Sequence, residues 1–229
     1  MVVRDERSLR REIVRVCRRL YERGLIAGGE GNVSARRDRE SLLVTPAGAA
    51  KVDVAEDDLV VVDLAGNPVA GSGRASSELG MHLRIYDRRP DVNAVVHAHP
   101  PFATAFAVAG EDMMAPVLPE LLVLIGGVPL VPYATPGSPA LADAIEPFLL
   151  LHDALLMANH GATSFGPTLS IAHQRMESLE HGAQILFAAR ALGHVTALTD
   201  AQRDALLKLR RAMSLSHEQG ATSRSSDRA

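Results

Sequence analysis

The stretch Asn93-Ala94-Val95-Val96-His97-Ala98-His99-Pro100 decides how the rest of the chain is read. Apart from Asn93, residues 92–96 are apolar, and three of them are β-branched valines, the composition of a buried strand. Side chains two apart on a strand share a face, so His97 and His99 stand together at one strand end. Pro100 and Pro101 stop the strand just beyond them. Two neutral imidazoles on one face begin a metal site; read blandly, they are two polar residues at a strand end. A second apolar run, Ala154-Leu155-Leu156-Met157-Ala158-Asn159-His160-Gly161, also ends in histidine. His160 supplies the third ligand that a zinc site with an open position needs. Histidine ligands do not by themselves fix zinc over manganese or cobalt.

The 229 residues fit one domain, and no Pro/Ser/Gly-rich linker divides them. We place that domain at residues 1–216 and expect residues 217–229, rich in Ser and Arg, to form a disordered tail. Hydrophobic residues make up 47%, enough for a sizeable core, and with no Trp that core must be built from Ala, Val and Leu. The formal net charge of -3 comes from both signs spread along the chain, so no nucleic-acid partner is expected. No run reaches the roughly 18 apolar residues of a membrane span, and the first residues have no apolar signal region. The one cysteine, Cys17, cannot form an internal disulfide and lies on the apolar side of a predicted helix, which fits packing in a reducing cytoplasm.

Leu9, Ile13, Val16, Cys17, Leu20 and Tyr21 recur at helical spacing over residues 6–23, with Gly24 placed to end the helix. The segment Ala27-Gly28-Gly29-Glu30-Gly31-Asn32-Val33-Ser34 then reads as a loop. It is either a flexible turn or a cradle whose successive N–H groups hold an anion. Thr45-Pro46-Ala47-Gly48 is a second tight turn, between strands expected at residues 41–45 and 59–63. Ala65-Gly66-Asn67-Pro68 is a hairpin turn. Ser76 and Ser77 stand before a helix reaching residue 88, where they serve as caps or as a phosphate site at the helix start. Helices are expected over residues 102–108, 139–150, 167–192 and 200–217, and a strand over 128–131. Glu120 is an isolated carboxylate in an apolar setting; buried, it would have a raised pKa and suit proton transfer, and at an exposed corner it would be ordinary. His181 reads as a polar helix residue.

Taken in order, these motifs resemble the class II aldolase/adducin family, and in particular its fuculose-phosphate aldolases. The resemblance covers about residues 9–193 and rests on five elements. Gly31-Asn32-Val33-Ser34 and Thr45-Pro46-Ala47-Gly48 resemble its first two phosphate loops. Ser76-Ser77-Glu78 resembles its third phosphate element with the catalytic glutamate. His97-Ala98-His99 and Asn159-His160-Gly161 resemble its metal ligands. The resemblance implies a three-layer α/β/α fold around a mainly antiparallel sheet, and a homotetramer with active sites between subunits. It implies Zn2+ on His97, His99 and His160, with Glu78 ligating when the site is empty and moving a proton during reaction. It implies phosphate held by Gly31, Asn32, Ser34, Thr45, Gly48, Ser76 and Ser77. The expected reaction is cleavage or formation of a ketose 1-phosphate through an enediolate. Decarboxylases, dehydratases and epimerases of phosphorylated sugars or sugar acids share the fold, and adducin heads share it without the metal site. One departure is visible: those aldolases use a tyrosine where this chain has Glu120, which makes Glu120 the candidate second proton-transfer group.

Overall fold

The structure is a computed structural model that describes residues 5–226, apart from residue 72, with side chains described to residue 213. The first helix, α1 (Glu6–Glu22), forms where the periodicity places it, and buries Leu9, Ile13, Val16, Cys17 and Leu20. Among the described residues eight strands follow: β1 (Asn32–Arg36), β2 (Ser41–Val44), β3 (Val60–Asp63), β4 (Pro68–Ala70), β5 (Ala94–Ala98), β6 (Leu130–Val131), β7 (Ala154–Met157) and β8 (Gly161–Gly166). They make one sheet in the order β4-β3-β2-β1-β5-β8-β7-β6. Every neighbouring pair is antiparallel except β6 and β7, which run parallel. The sheet is therefore mixed, with the expected antiparallel character in its centre.

Helices cover both faces, completing three layers. α1, α3 (Pro101–Ala109), α4 (Pro119–Leu124) and α6 (Leu169–Ala191) pack on the face that carries Val33, Ala35, Val96 and Ala162. α2 (Leu79–Arg88) and α5 (Pro139–Ile145) pack on the face that carries Val44, Val62, Val95 and Phe165. Strand alternation puts His97 on this second face, beside Val95 and toward α2. α7 (Asp200–Ser226) packs on α4, and its backbone stays helical past residue 216, where a disordered tail was expected. No proline interrupts residues 217–226, and the backbone of α7 continues across Gly220. Residues 227–229 of the expected tail lie outside the described residues. Among the described residues no helix is long and apolar enough to cross a membrane.

Two central strands were not foreseen. β1 lies in what reads as a glycine-rich loop, because Asn32, Ser34 and Arg36 alternate with Val33 and Ala35 and none of the polar three looks like core. β8, Gly-Ala-Thr-Ser-Phe-Gly, is fully buried although it is rich in small polar residues. The Thr163 and Ser164 hydroxyls donate to the carbonyls of Val96 and Ala172, which removes the cost of burying them.

Two buried carboxylates fasten elements together. Asp153, just before β7, receives Arg89, Arg175 and Arg210, the last reaching from α7. Glu180, on α6, accepts from the amides of Phe102 (3.1 Å) and Ala103 (2.9 Å) at the first turn of α3. A carboxylate there satisfies orphan amides and meets the positive end of the helix. Because α3 begins two residues after His99, this contact also fixes the chain leaving the histidine pair. Glu180→Ala should cost about 2 kcal/mol in urea unfolding, with Glu180→Gln recovering part of it.

Candidate metal centre and active site

His97, His99 and His160 come together at one end of the central strands, and one ligand nitrogen from each lies within 4.8 Å of the others. His97 is on β5, His99 just beyond it, and His160 in the connection between β7 and β8. That connection turns sharply at Asn159, whose φ of 55° is left-handed. His97 is fully buried, with its ring held by a bond between Nδ1 and the Ala162 carbonyl across β5 and β8 (2.9 Å). Glu78, immediately before α2, places Oε2 at 3.1 Å from His97 Nε2 and Oε1 at 3.0 Å from His160 Nε2. The Asn32 amide donates to Glu78 Oε2 at 2.9 Å. The four residues expected as metal ligands are thus one cluster.

The donor chemistry fits a divalent cation. A carbonyl can only accept, so His97 Nδ1 carries the proton and Nε2 offers its lone pair. That lone pair faces a carboxylate oxygen at 3.1 Å and His99 Nε2 at 3.1 Å. Electron-rich atoms converging at such distances in a buried place call for a positive charge among them. Burial holds His99 down to about 4, so that this imidazole is a neutral ligand at neutral pH. Burial opposes ionisation of Glu78, yet positive charge on its His97 and His160 side, carried by the rings or by a cation between them, holds its pKa well below the carboxylate range.

Two glycines make the approach possible. Gly31 has φ of 67°, and a Cβ there would lie 2.6 Å from the His97 carbonyl oxygen. A Cβ on Gly161 would lie 2.6 Å from His99 Cδ2 and 2.7 Å from the Ala98 carbonyl oxygen.

The three expected anion elements are neighbours. A Cβ on Gly29 would sit 3.9 Å from the carbonyl oxygens of both Gly48 and Ala49, so the first loop touches the second. The Ala47 amide donates to the Arg74 carbonyl, and Pro46 bridges Ala75, which brings the segment before Ser76 alongside. Not every expected side chain faces outward. The Ser34 hydroxyl is fully buried, 2.6 Å from His82 Nδ1 and 2.9 Å from the Tyr86 hydroxyl. Thr45 is buried with its hydroxyl accepting from the Val33 amide. Both hydroxyls hold β1 in place instead of lining a surface. Gly48 and Ser77 are exposed, and Ser76 is half-buried with its hydroxyl accepting from the Glu78 amide. Glu120 is exposed on the first turn of α4, so the burial expected to raise its pKa does not occur within one chain.

Sequence reasoning missed the seam beneath Glu78. Glu78, His82 and Tyr86 fall on successive turns of one face of α2, and Asn32, Ser34 and Arg36 on one face of β1. Asn32 meets Glu78, Ser34 meets His82 and Tyr86, and Arg36 donates to the Tyr86 carbonyl (2.8 Å) with its guanidinium over the ring. Burial pushes His82 down to about 3. The i, i+4 spacing from Glu78 was the available signal.

With this geometry in view the comparisons are decisive for the family. Residues 11–187 match the Class II Aldolase and Adducin N-terminal domain, and the chain belongs to that family. It is 34% identical to the 3-oxo-tetronate 4-phosphate decarboxylase of Haemophilus influenzae, over 76% of this chain and 85% of that one. It is likewise 34% identical to the L-fuculose phosphate aldolase of Methanococcus maripaludis, over 76% and 93%. A solved L-fuculose 1-phosphate aldolase superposes with a TM-score of 0.83 at 30% identity, covering 88% of this chain and 95% of that one. Members with these names are enzymes, and they include both aldolases and decarboxylases.

Two tests follow from the geometry. Gly161→Ala should displace His99 and weaken metal binding by about tenfold or more, measured by metal content after dialysis against a weak chelator. His82 is neutral in the folded protein, and its unfolded value is 6.5. Its contribution is therefore complete above that pH and is lost as pH falls toward the folded value. At pH 5.5 the penalty is about 1.4 kcal/mol relative to pH 7.5, and His82→Gln should show correspondingly less acid destabilisation in urea unfolding.

Proposed function

We propose that this chain is a zinc-dependent class II aldolase that cleaves or forms a ketose 1-phosphate of the L-fuculose 1-phosphate kind. The observation that carries the reading is the Glu78 carboxylate, held between His97 and His160 by one oxygen each and oriented by Asn32. A carboxylate fixed against a metal cluster is suited to moving a proton at the substrate carbon beside the bound oxygens. In the cleavage direction the hydroxyl on C4 loses its proton, the C3–C4 bond breaks, and the aldehyde leaves. The electron pair left on C3 takes a proton delivered by Glu78, giving dihydroxyacetone phosphate. A divalent cation on His97, His99 and His160 would supply the positive charge that draws this electron pair toward neighbouring oxygens. The phosphoryl group would lie among the exposed backbone of residues 28–31 and 46–48 and the serines at 76 and 77, with Gly31, Asn32, Ser34 and Thr45 shaping that rim from below.

Glu120 is our candidate for the proton of the C4 hydroxyl. It is exposed in one chain, so the role requires a neighbouring subunit's site. Exposed apolar side chains, among them Leu151, Phe187 and Leu192, support assembly into the homotetramer we propose. A second reading is decarboxylation of a phosphorylated keto acid, favoured by the Haemophilus influenzae relative. It uses the same cluster to stabilise the charge left when carbon dioxide departs. An adducin-like interaction module is disfavoured because all four members of the cluster are present.

Purified protein with zinc restored should release dihydroxyacetone phosphate from L-fuculose 1-phosphate or a related ketose 1-phosphate, and a chelator should abolish it. Glu78→Gln should lower turnover by about a hundred- to ten-thousand-fold. Carbon dioxide release from 3-oxo-tetronate 4-phosphate, without cleavage of any ketose 1-phosphate, would replace the aldolase reading with the decarboxylase one.

A further inference from the structure

Of the 24 basic residues in the chain only two, Lys51 and Lys208, are lysines. Lys51 is 2% exposed. Its Nζ donates to the Gly29 carbonyl at 3.0 Å and to the Ala49 carbonyl at 2.7 Å. The first carbonyl belongs to the glycine-rich loop before β1, the second to the turn after β2. The ammonium therefore sits at the seam where these two loops touch. No carboxylate pairs with it among the described residues. Its nearest thiol, Cys17 on α1, is pushed up to about 12 by burial and stays neutral. Burial lowers the pKa of Lys51, and the Glu78 carboxylate is close enough for its field to oppose that shift. Glu78 is already engaged by His97, His160 and Asn32. A buried cation without its own counterion is costly unless an anion completes the site.

The loops above supply the matching half. Residues 28–31 and 46–48 form close turns beside the serines at 76 and 77, with Gly28, Gly29, Gly48 and Ser77 exposed. Neutral backbone donors orient an anion but give it no net charge. The lysine ammonium has three donors, and the Gly29 and Ala49 carbonyls take two of them.

We propose that Lys51 is the positioning residue of a phosphate subsite: it ties the two loops together through the Gly29 and Ala49 carbonyls and gives the exposed turns they form their positive charge. This rests on the reading of a phosphorylated substrate given above, and it adds the charge that selects the phosphoryl group. Lys51 acts through the loops and does not touch the reacting carbon.

The test uses zinc-loaded full-length protein and inorganic phosphate as the probe, with a phosphorylated ketose that the wild type turns over and the same sugar without phosphate. For Lys51→Met, KM for the phosphorylated sugar and the inhibition constant of phosphate should each rise about tenfold or more, while kcat stays within about threefold. The kcat/KM for the unphosphorylated sugar should not change. A merely structural role would lower activity on both sugars alike, and that result overturns the proposal. Lys51→Gln keeps donors for the carbonyls without the charge, and serves if the methionine variant fails to fold. It should show the same loss of phosphate inhibition, and wild-type inhibition in that variant overturns the proposal. A wild type that neither responds to phosphate nor prefers the phosphorylated sugar overturns the phosphorylated-substrate reading itself, which separates the two failures.

Discussion

Asn32 lies opposite His97 across β1 and β5, and Thr163 lies opposite His97 across β5 and β8. This register places every group at the centre. It sets the Asn32 amide where it can hold Glu78, and it brings the Ala162 carbonyl to His97 Nδ1. It also drives the backbone of Gly31 and Gly161 so close to the histidines that neither position has room for a Cβ. A slip of one residue would turn His97 to the other face of the sheet and leave α2 facing an apolar side chain. The cluster is thus a property of three paired strands, with α2 bringing in the carboxylate from outside.

The seam between β1 and α2 shows what that arrangement demands. Six polar side chains run inward from the histidine cluster, and they are buried or half-buried because each meets another. A neutral His82, a Ser34 hydroxyl shared with Tyr86 and an Arg36 guanidinium over the Tyr86 ring replace the aliphatic contacts usual between a helix and a sheet. Their directional bonds fix how α2 rotates on the sheet, and so where Glu78 points.

The histidine cluster was legible because histidine at the end of an apolar run is unusual and its alternation is read directly. Glu78 was legible only beside Ser76 and Ser77, as part of a motif. β1 and β8 were not, since Gly, Ser, Thr and Asn signal loops until a tertiary partner satisfies them, as His82 does for Ser34 and the Ala172 carbonyl does for Ser164. For the same reason Ser34 and Thr45 read as pocket hydroxyls and proved to be internal struts. Lys51 gave no signal at all, because one lysine just after a turn looks solvated until the fold encloses it. For Glu120 the sequence left both a buried and an exposed setting open, because apolar neighbours in sequence do not by themselves bury a residue on the outer face of a short helix.

The cluster and the turns beside it are held by different contacts. Strand register and buried bonds fix the three histidines and Glu78, whereas Gly28, Gly29, Gly48 and Ser77 lie on exposed turns fastened mainly by Lys51 and a few backbone bonds. Changes at these turns can therefore accumulate without loosening the cluster. One scaffold can trade the molecule it accepts, or the bond it breaks, in small inherited steps, each leaving a folded and metal-competent protein behind. A family that holds both aldolases and decarboxylases is what such a division of labour would leave in the genetic record.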